Sequence, residues 1–223
     1  MNMKHRLRLV VLTGMLVVGL GIAANWHGET THAQAPAPSA LQTTGTWTVD
    51  PMHTSVNFAI RHFGISLVHG RFNEFAGTIM ANAEHPEKSS VKFTIQATSI
   101  DTNVKMRDDD LRSANYFDVA KFPEITFEST AVKKGKRGEF VAVGNLSIHG
   151  VTKEISLPFR PAGPIKDTFG GTRAGLVTAI QLNRLDYRVG GVKLMDHGSL
   201  DIGKEVDIAI SLEAVPAKPV TTS

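Results

Sequence analysis

Apolar and polar side chains alternate along most of this chain from residue 46 onward. That period of two is the mark of strands with one greasy and one wet face. Val56, Phe58, Ile60 and His62 fall on one side, with Ser55, Asn57, Ala59 and Arg61 on the other. Val91, Phe93, Ile95 and Ala97 alternate with Lys92, Thr94, Gln96 and Thr98. The rhythm returns at Ile125 and Phe127, at Phe140, Ala142, Gly144, Leu146 and Ile148, and at Ile155, Leu157 and Phe159. It continues at Leu176, Thr178, Ile180 and Leu182, and at Val206, Ile208, Ile210 and Leu212. Residues 71–81, with Phe72, Phe75 and Ile79, add one more strand. Lys134-Gly135-Lys136-Arg137-Gly138 sits at hairpin spacing, and His149-Gly150 marks a tight reversal. A polar loop over residues 82–90 and breaks at Gly170-Gly171 and Gly190-Gly191 separate the others. The predicted fold is all-β, with about eight strands whose short connections make successive neighbours antiparallel. Each strand must hide one face, so the sheet is expected to close into a barrel whose interior is filled or holds one small ligand.

Residues 101–122 break the alternation. Asn103 is placed to cap a helix, and residues 105–113 favour one by propensity, with Met106 and Leu111 as apolar contacts. One short inserted helix plus a loop, ended by Pro123, is expected across a mouth or side of the barrel.

The first 33 residues are of another kind. Residues 1–8 are short and basic, residues 9–24 are an unbroken apolar run, and small residues Thr31 and Ala33 precede a cut after Ala33. The apolar run makes about 24 Å of helix, short of the roughly 20 residues that span a bilayer comfortably. A cleaved secretory signal over residues 1–33 is therefore expected; the long spacer before Ala33 keeps an uncleaved anchor as the alternative. Residues 34–45 (QAPAPSALQTTG) read as a flexible leader, residues 46–215 as one barrel domain, and residues 216–223 as a flexible tail.

Charge and composition narrow the function. The chain carries +3 at pH 7, but Lys4, Arg6 and Arg8 against Glu29 belong to the signal, which leaves the exported part at +1. A near-neutral domain gives no bulk-charge case for nucleic-acid binding. The chain contains no cysteine, hence no thiol nucleophile, disulfide or cysteine-held metal. Asp108-Asp109-Asp110 invites a metal, but successive helical residues point about 100° apart and cannot converge on one ion. They read as a solvated face beside Arg107 and Arg112. His53, His62 and His69 are the best metal-ligand candidates, yet none has the spacing of a zinc hydrolase. His62, in phase with Val56, Phe58 and Ile60, should point to the apolar side. There is no G-x-S-x-G elbow, and Gly170-Gly171 does not continue into a phosphate loop. Phe outnumbers Tyr and Trp by 11 to 2 and 2. Phe58, Phe72, Phe75, Phe93, Phe117, Phe127 and Phe159 either fill a core or line a dry tube, and composition does not separate the two.

Seven pieces in one order carry a resemblance. They are W-T-V-D-P-x-H-T-S-V-x-F at residues 47–58, R-H-F-G at 61–64, G-R-F-N-E-F-A-G at 70–77 and R-D-D-D-L-R-S-A-N-Y-F-D-V-A-K-F-P-E-I-T-F-E-S at 107–129. G-N-L-S-I-H-G-V-T at 144–152, N-R-L-D-Y at 183–187 and I-G-K-E-V-D-I-A-I-S-L-E-A at 202–214 complete them. The order resembles the YceI-like family of bacterial periplasmic, polyisoprenoid-binding proteins. The resemblance implies a lipocalin-like antiparallel barrel holding an isoprenoid chain, such as that of an isoprenoid quinone or prenyl phosphate. It also implies a periplasmic address and no catalytic residue. Two departures stand out: Asp110 where the family usually has His, and Tyr187-Arg188 where it tends to have Phe-Gly.

Each CH₂ of such a chain removed from water is worth about 0.8 kcal/mol, so it calls for a deep apolar tube with a polar mouth. The expected ligand-binding residues are Val56, Phe58, Ile60, His62, Phe93, Ile95, Phe127, Leu146, Phe159 and Ile180. Arg61, Arg107 and Arg112 join His62 as candidates for the head-group end. No metal or cofactor, no nucleic acid and only transient contact with a membrane surface are expected; the oligomeric state, a homodimer included, stays open. The alternatives are a metal-assisted hydrolase built on His53, His62 and an acid, and a structural barrel with a filled core.

Overall fold

Alternation of this kind leaves every strand with backbone groups to pair on both edges, and the chain satisfies them by closing the sheet. The computed structural model describes residues 44–218, apart from residue 197; the expected signal peptide and most of the leader and tail lie outside them. The elements are β1 (Gly45–Val49), β2 (Ser55–His62), β3 (Ser66–Phe72), β4 (Phe75–Ala81), β5 (Ser90–Gln96), β6 (Ile100–Asp101) and α1 (Lys105–Arg112). They continue with β7 (Glu124–Lys134), β8 (Phe140–Ile148), β9 (Val151–Lys166), β10 (Thr172–Asn183) and β11 (Ile202–Pro216). All pairings are antiparallel, and β1 meets both β4 and β11, which closes the ring.

The barrel is eight-stranded because three of its strands are broken at one level. β1 and β2 both run along β11, β1 from Val49↔Ala214 downward and β2 from Ser55↔Ser211 upward. β3 and β4 lie along that pair in turn, and β5 and β6 along them. The breaks fall side by side: Asn73 N–H donates to Ser99 O at 3.1 Å, and Gln96 N–H to Glu74 O at 2.9 Å. Residues 71–81, expected as one strand, are thus the end of β3 and the whole of β4, parted at Asn73 and Glu74. The break was hidden because a strand that changes partner keeps its alternation.

Below the breaks the barrel is filled. Trp47, Val49, Val132, Phe140, Ala142, Phe159, Leu212 and Ala214 are buried there, and Phe140 stacks on Phe159 with ring centroids 5.7 Å apart. Above them β7 begins only at Glu124, and the segment containing α1 takes the missing place. Phe117 meets Phe72 edge-on at 5.9 Å, and Phe122 meets His149 at 4.7 Å. His149 and Gly150, both at positive φ, make the two-residue turn between β8 and β9.

The helix forms where expected, but its fastening differs. Val104, not Asn103, is the N-cap residue, and it has no side-chain cap. Asn103 takes φ 63° and gives its N–H to Asp101 Oδ1. Asp108 is buried rather than solvated: its Oδ1 accepts the Thr102 N–H at 2.8 Å and the Thr102 hydroxyl at 2.5 Å. Asp109 is exposed and paired with Lys105, and Asp110 accepts from the Asn115 amide, so the three acids do point apart. Arg112 donates to the carbonyls of Thr98 (2.7 Å) and Ile100 (2.6 Å), tying α1 to β6. Met106, expected as a packed contact, is 81% exposed.

A charged cluster holds the β1–β2 break from outside. Arg173 of β10 contacts Asp50 at 2.8 Å, Asp167 at 2.9 Å and Glu213 at 2.5 Å, while His53 Nδ1 lies 2.9 Å from Asp50. Hydrogen bonds from His53 and Arg173 lower the Asp50 carboxyl to about 2.

Two outcomes follow from these fastenings. A carboxylate depressed in the folded state stabilises above its unfolded pKa, and that stability is lost as pH falls through the folded value. Urea midpoints should therefore drop between about pH 4 and pH 2, and Asp50→Asn should flatten this stretch, removing about 2 kcal/mol of pH-dependent stability. Asp108→Ala leaves the Thr102 N–H and hydroxyl without their acceptor and should cost about 2–3 kcal/mol in equilibrium unfolding. An unchanged midpoint would show that α1 is held by other contacts.

Candidate functional site

The inward residues of the upper tier do not fill the space they enclose. Phe58, Ile60, Leu157, Ile180, Ile208 and Ile210 face inward yet are only partly buried, because they look onto a cavity of about 630 Å³. That lies within the usual range for small-molecule sites. The bore is closed below by the packed tier and opens between the β2–β3 turn, α1 and the loop before β11.

The ten residues expected to bind a ligand all line this one cavity. Val56, Phe58, Ile60 and His62 reach it from β2, Phe93 and Ile95 from β5, and Phe127 from β7. Leu146, Phe159 and Ile180 reach it from β8, β9 and β10. Alternation alone brings them together, since each occupies the inner phase of its strand. Gly70 faces Phe58 across the β2–β3 ladder, and any Cβ there would strike the Phe58 ring, so this glycine makes room for an aromatic wall. The β9–β10 ladder ends at Thr178↔Phe159, and beyond it Ile155 and Leu157 of one strand and Ile180 and Leu182 of the other line the widening bore. The Thr178 hydroxyl is buried there without a hydrogen-bond partner.

Polar groups gather at the open end. Arg61, His62, Arg107, Asp110, Tyr116 and Arg184 contribute to the lining. Arg107 gives Nε to the Thr102 hydroxyl at 2.7 Å and Nη2 to the Thr102 carbonyl at 2.8 Å. Arg112, expected at the head-group end, is not among the lining residues; its guanidinium is spent on Thr98 and Ile100. The sequence could not separate these two arginines, which lie five residues apart on one short helix.

Arg184 was missed. It is buried, and donates to four carbonyls: Gly203 and Val189 at 2.8 Å, Gly191 and Ile202 at 3.1 Å. Burial pulls its pKa below the ordinary arginine value. It fastens the loop after β10 to the start of β11. Its neighbour in N-R-L-D-Y, Asp186, suggests a local ion pair, but Asp186 lies 3.5 Å from Lys153 instead, and the sequence carries no signal for the carbonyl partners. Burial likewise raises the phenols of Tyr116 and Tyr187 above their ordinary value.

The histidines do not assemble. His53 sits outside at the β1–β2 break, His62 lines the mouth at the far end of β2, roughly 25 Å away at the usual rise per residue, and His69 is exposed on β3. Among the described residues, Asp50, His53 and Glu213 form the grouping with metal-ligand spacing, but Arg173 already occupies its carboxylates. The expected alternative of a centre on His53 and His62 together is overturned by this separation. The imidazole–carboxylate hydrogen bonds among the described residues, His53–Asp50 and His85–Glu87, are exposed and outside the bore.

Comparison with known proteins bears on the same region. The family described as YceI-like domain matches residues 47–214. A UPF0312 protein of Azotobacter vinelandii is 40% identical over 166 residues, which are 73% of this chain and 82% of that protein. BcnA of Burkholderia cenocepacia is similar in structure with a TM-score of 0.66 at 22% identity, covering 75% of this chain and 99% of that one. A polyisoprenoid binding domain from Saccharophagus degradans, implicated in plant cell wall breakdown, gives a TM-score of 0.56 at 16% identity over 77% of this chain and 98% of its own. Matched in sequence across its whole barrel and in space by two barrels of known structure, the chain belongs to the YceI-like family.

Proposed function

We propose that this protein is a non-catalytic, exported carrier that holds a long polyisoprenoid lipid in its bore and works in the periplasm. The observation that carries the reading is the unfilled upper tier. A barrel meant only as a scaffold would interdigitate its inner side chains, as the lower tier does. Here phenylalanines and branched aliphatic residues surround about 630 Å³ instead. An apolar chain entering that space is removed from water at about 0.8 kcal/mol per CH₂. The polyisoprenoid binding attributed to the Saccharophagus degradans domain supports the choice of chain, and the signal-like first 33 residues support the address. Arg61, His62 and Arg107 at the mouth are the groups that would meet a polar head.

The enzyme reading lacks a comparable support. Catalysis needs a base within hydrogen-bond reach of a nucleophile or of bound water, and the bore's imidazole, His62, lies tilted against the ring of Phe63 with centroids 3.9 Å apart, an apolar contact that lends the enzyme reading no support.

Organic extracts of the purified protein, examined by mass spectrometry, should be dominated by one long-chain isoprenoid. Ile180→Asp places a carboxylate against the chain at a position that is already partly accessible, so the barrel should remain folded by circular dichroism. Burying an unpaired carboxylate beside a lipid is costly, and bound lipid should fall at least about tenfold. A folded variant with undiminished lipid would refute the bore as the binding site.

A further inference from the structure

Seven of the twelve exposed large apolar side chains among the described residues gather at one end of this barrel, while Met52, Met80, Ile165, Phe169 and Val177 lie elsewhere. Phe63 (46% exposed) and Ile65 (84%) stand on the β2–β3 turn and Leu67 (44%) at the start of β3; Val104 (43%) and Met106 (81%) stand at the start of α1; Val192 and Leu194 (61% each) stand on the loop before β11. These three segments are separate in sequence and meet at one place. The Phe63 N–H donates to Asp201 O at 2.7 Å, and the Asp201 N–H to Lys193 O at 3.1 Å, which joins the turn to the loop. Arg61 and His62 from the end of β2, Val68 from β3, Met106 from α1, Val189 from the loop and Ile202 from the start of β11 all border the same opening. Scattered exposed apolar residues need no explanation, but a ring of them around a cavity mouth does.

We propose that this rim is a docking face for a lipid bilayer, seated so that the mouth opens into the apolar phase. The proposal rests on the carrier reading and adds the route by which cargo enters. An insoluble chain that crossed even a thin layer of water would lose its burial energy on the way. A rim pressed into the headgroup boundary gives it a continuous apolar path. Charge fits the same occupant. Arg61, Arg188 and Lys193 are exposed cations around the opening, Asp109 is already paired with Lys105 and Arg112, and Asp110 accepts from Asn115. Asp196 and Asp201 on the loop and Asp110 on α1 stand as acids against Arg61, Arg107, Arg188 and Lys193, and Lys105 and Arg112 share the single charge of Asp109, so the face keeps a slight excess of positive charge toward an anionic surface. A second protein seated here would cover the mouth and close the bore, whereas a bilayer is itself the source of the ligand.

The test is flotation of the mature chain with vesicles of phosphatidylethanolamine and phosphatidylglycerol that contain no isoprenoid. The triple variant Ile65→Ser, Val192→Ser, Leu194→Ser alters only exposed rim positions outside the cavity lining. It should bind vesicles at least about tenfold more weakly, because burial of its apolar area drives interfacial binding. It should still take up isoprenoid presented in detergent micelles. Phe169→Ser, at a 95% exposed residue in the β9–β10 turn at the closed end, should float as the parent does. Ile180→Asp should float normally and carry no lipid, so failure of docking and failure of the bore are read separately. The proposal is overturned if the parent protein does not float, if the triple variant floats equally well, or if Phe169→Ser weakens binding as much. It is also overturned if sedimentation shows the parent to be a dimer that the triple variant dissolves, since the face would then belong to a second copy.

Discussion

The ring of backbone hydrogen bonds is the constraint from which the rest of the structure follows. A sheet with one apolar face must either close or expose an edge, and here β1 closes it by pairing with both β4 and β11. Closure fixes a circumference, and the circumference fixes how much interior must be filled. Below the breaks in β1–β2, β3–β4 and β5–β6 the ring is complete, and Trp47, Phe140 and Phe159 fill it. Above the breaks one strand is missing between β6 and β8, and α1 with its loop is a looser substitute. The bore exists because the broken strands change partner without leaving the ring.

The two tiers use the same residue types for opposite ends. Phenylalanines below stack on each other; Phe58 above lies against Phe72 with centroids 5.8 Å apart and still borders the void. What separates a core from a bore is therefore closure geometry, not composition. That is why a count of phenylalanines could not decide between them, while the accessibility of Ile60 and Ile180 does.

The period of two made the barrel legible, because a strand's inner phase is set by local alternation and survives every long-range detail. All ten expected lining residues follow from that rule. The missed features are those in which polar groups act over distance. Asp108 lies in a run of three acids that looks solvated, and only its reach back to Thr102 makes it buried. Arg112 looks like Arg107, and only the placement of the Thr98 and Ile100 carbonyls separates them. Arg184 has Asp186 two residues away in sequence, yet Asp186 pairs with Lys153, and the partners of Arg184 are four carbonyls from residues 189–203. Hydrogen bonds from a charge to backbone carbonyls leave no pattern in side-chain types, so sequence reading passes over them.

The same distinction sets which parts of the mouth can move. The walls are ladders, and opening one breaks a row of paired backbone groups at once. The two covers are held differently: α1 by Asp108 and Arg112, and the loop before β11 by Arg184 and a few backbone bonds. Asp108 and Arg184 are charges buried against neutral dipoles, strong while made and costly to leave unmade, and Arg112 is a half-buried charge shared between two carbonyls and Asp109. The local free energy of opening is therefore lowest where few ladder bonds are involved, at the mouth, and highest at the packed floor. The covers are thus the part of the bore's surroundings that opens at least cost, and the walls and floor the part that opens at most.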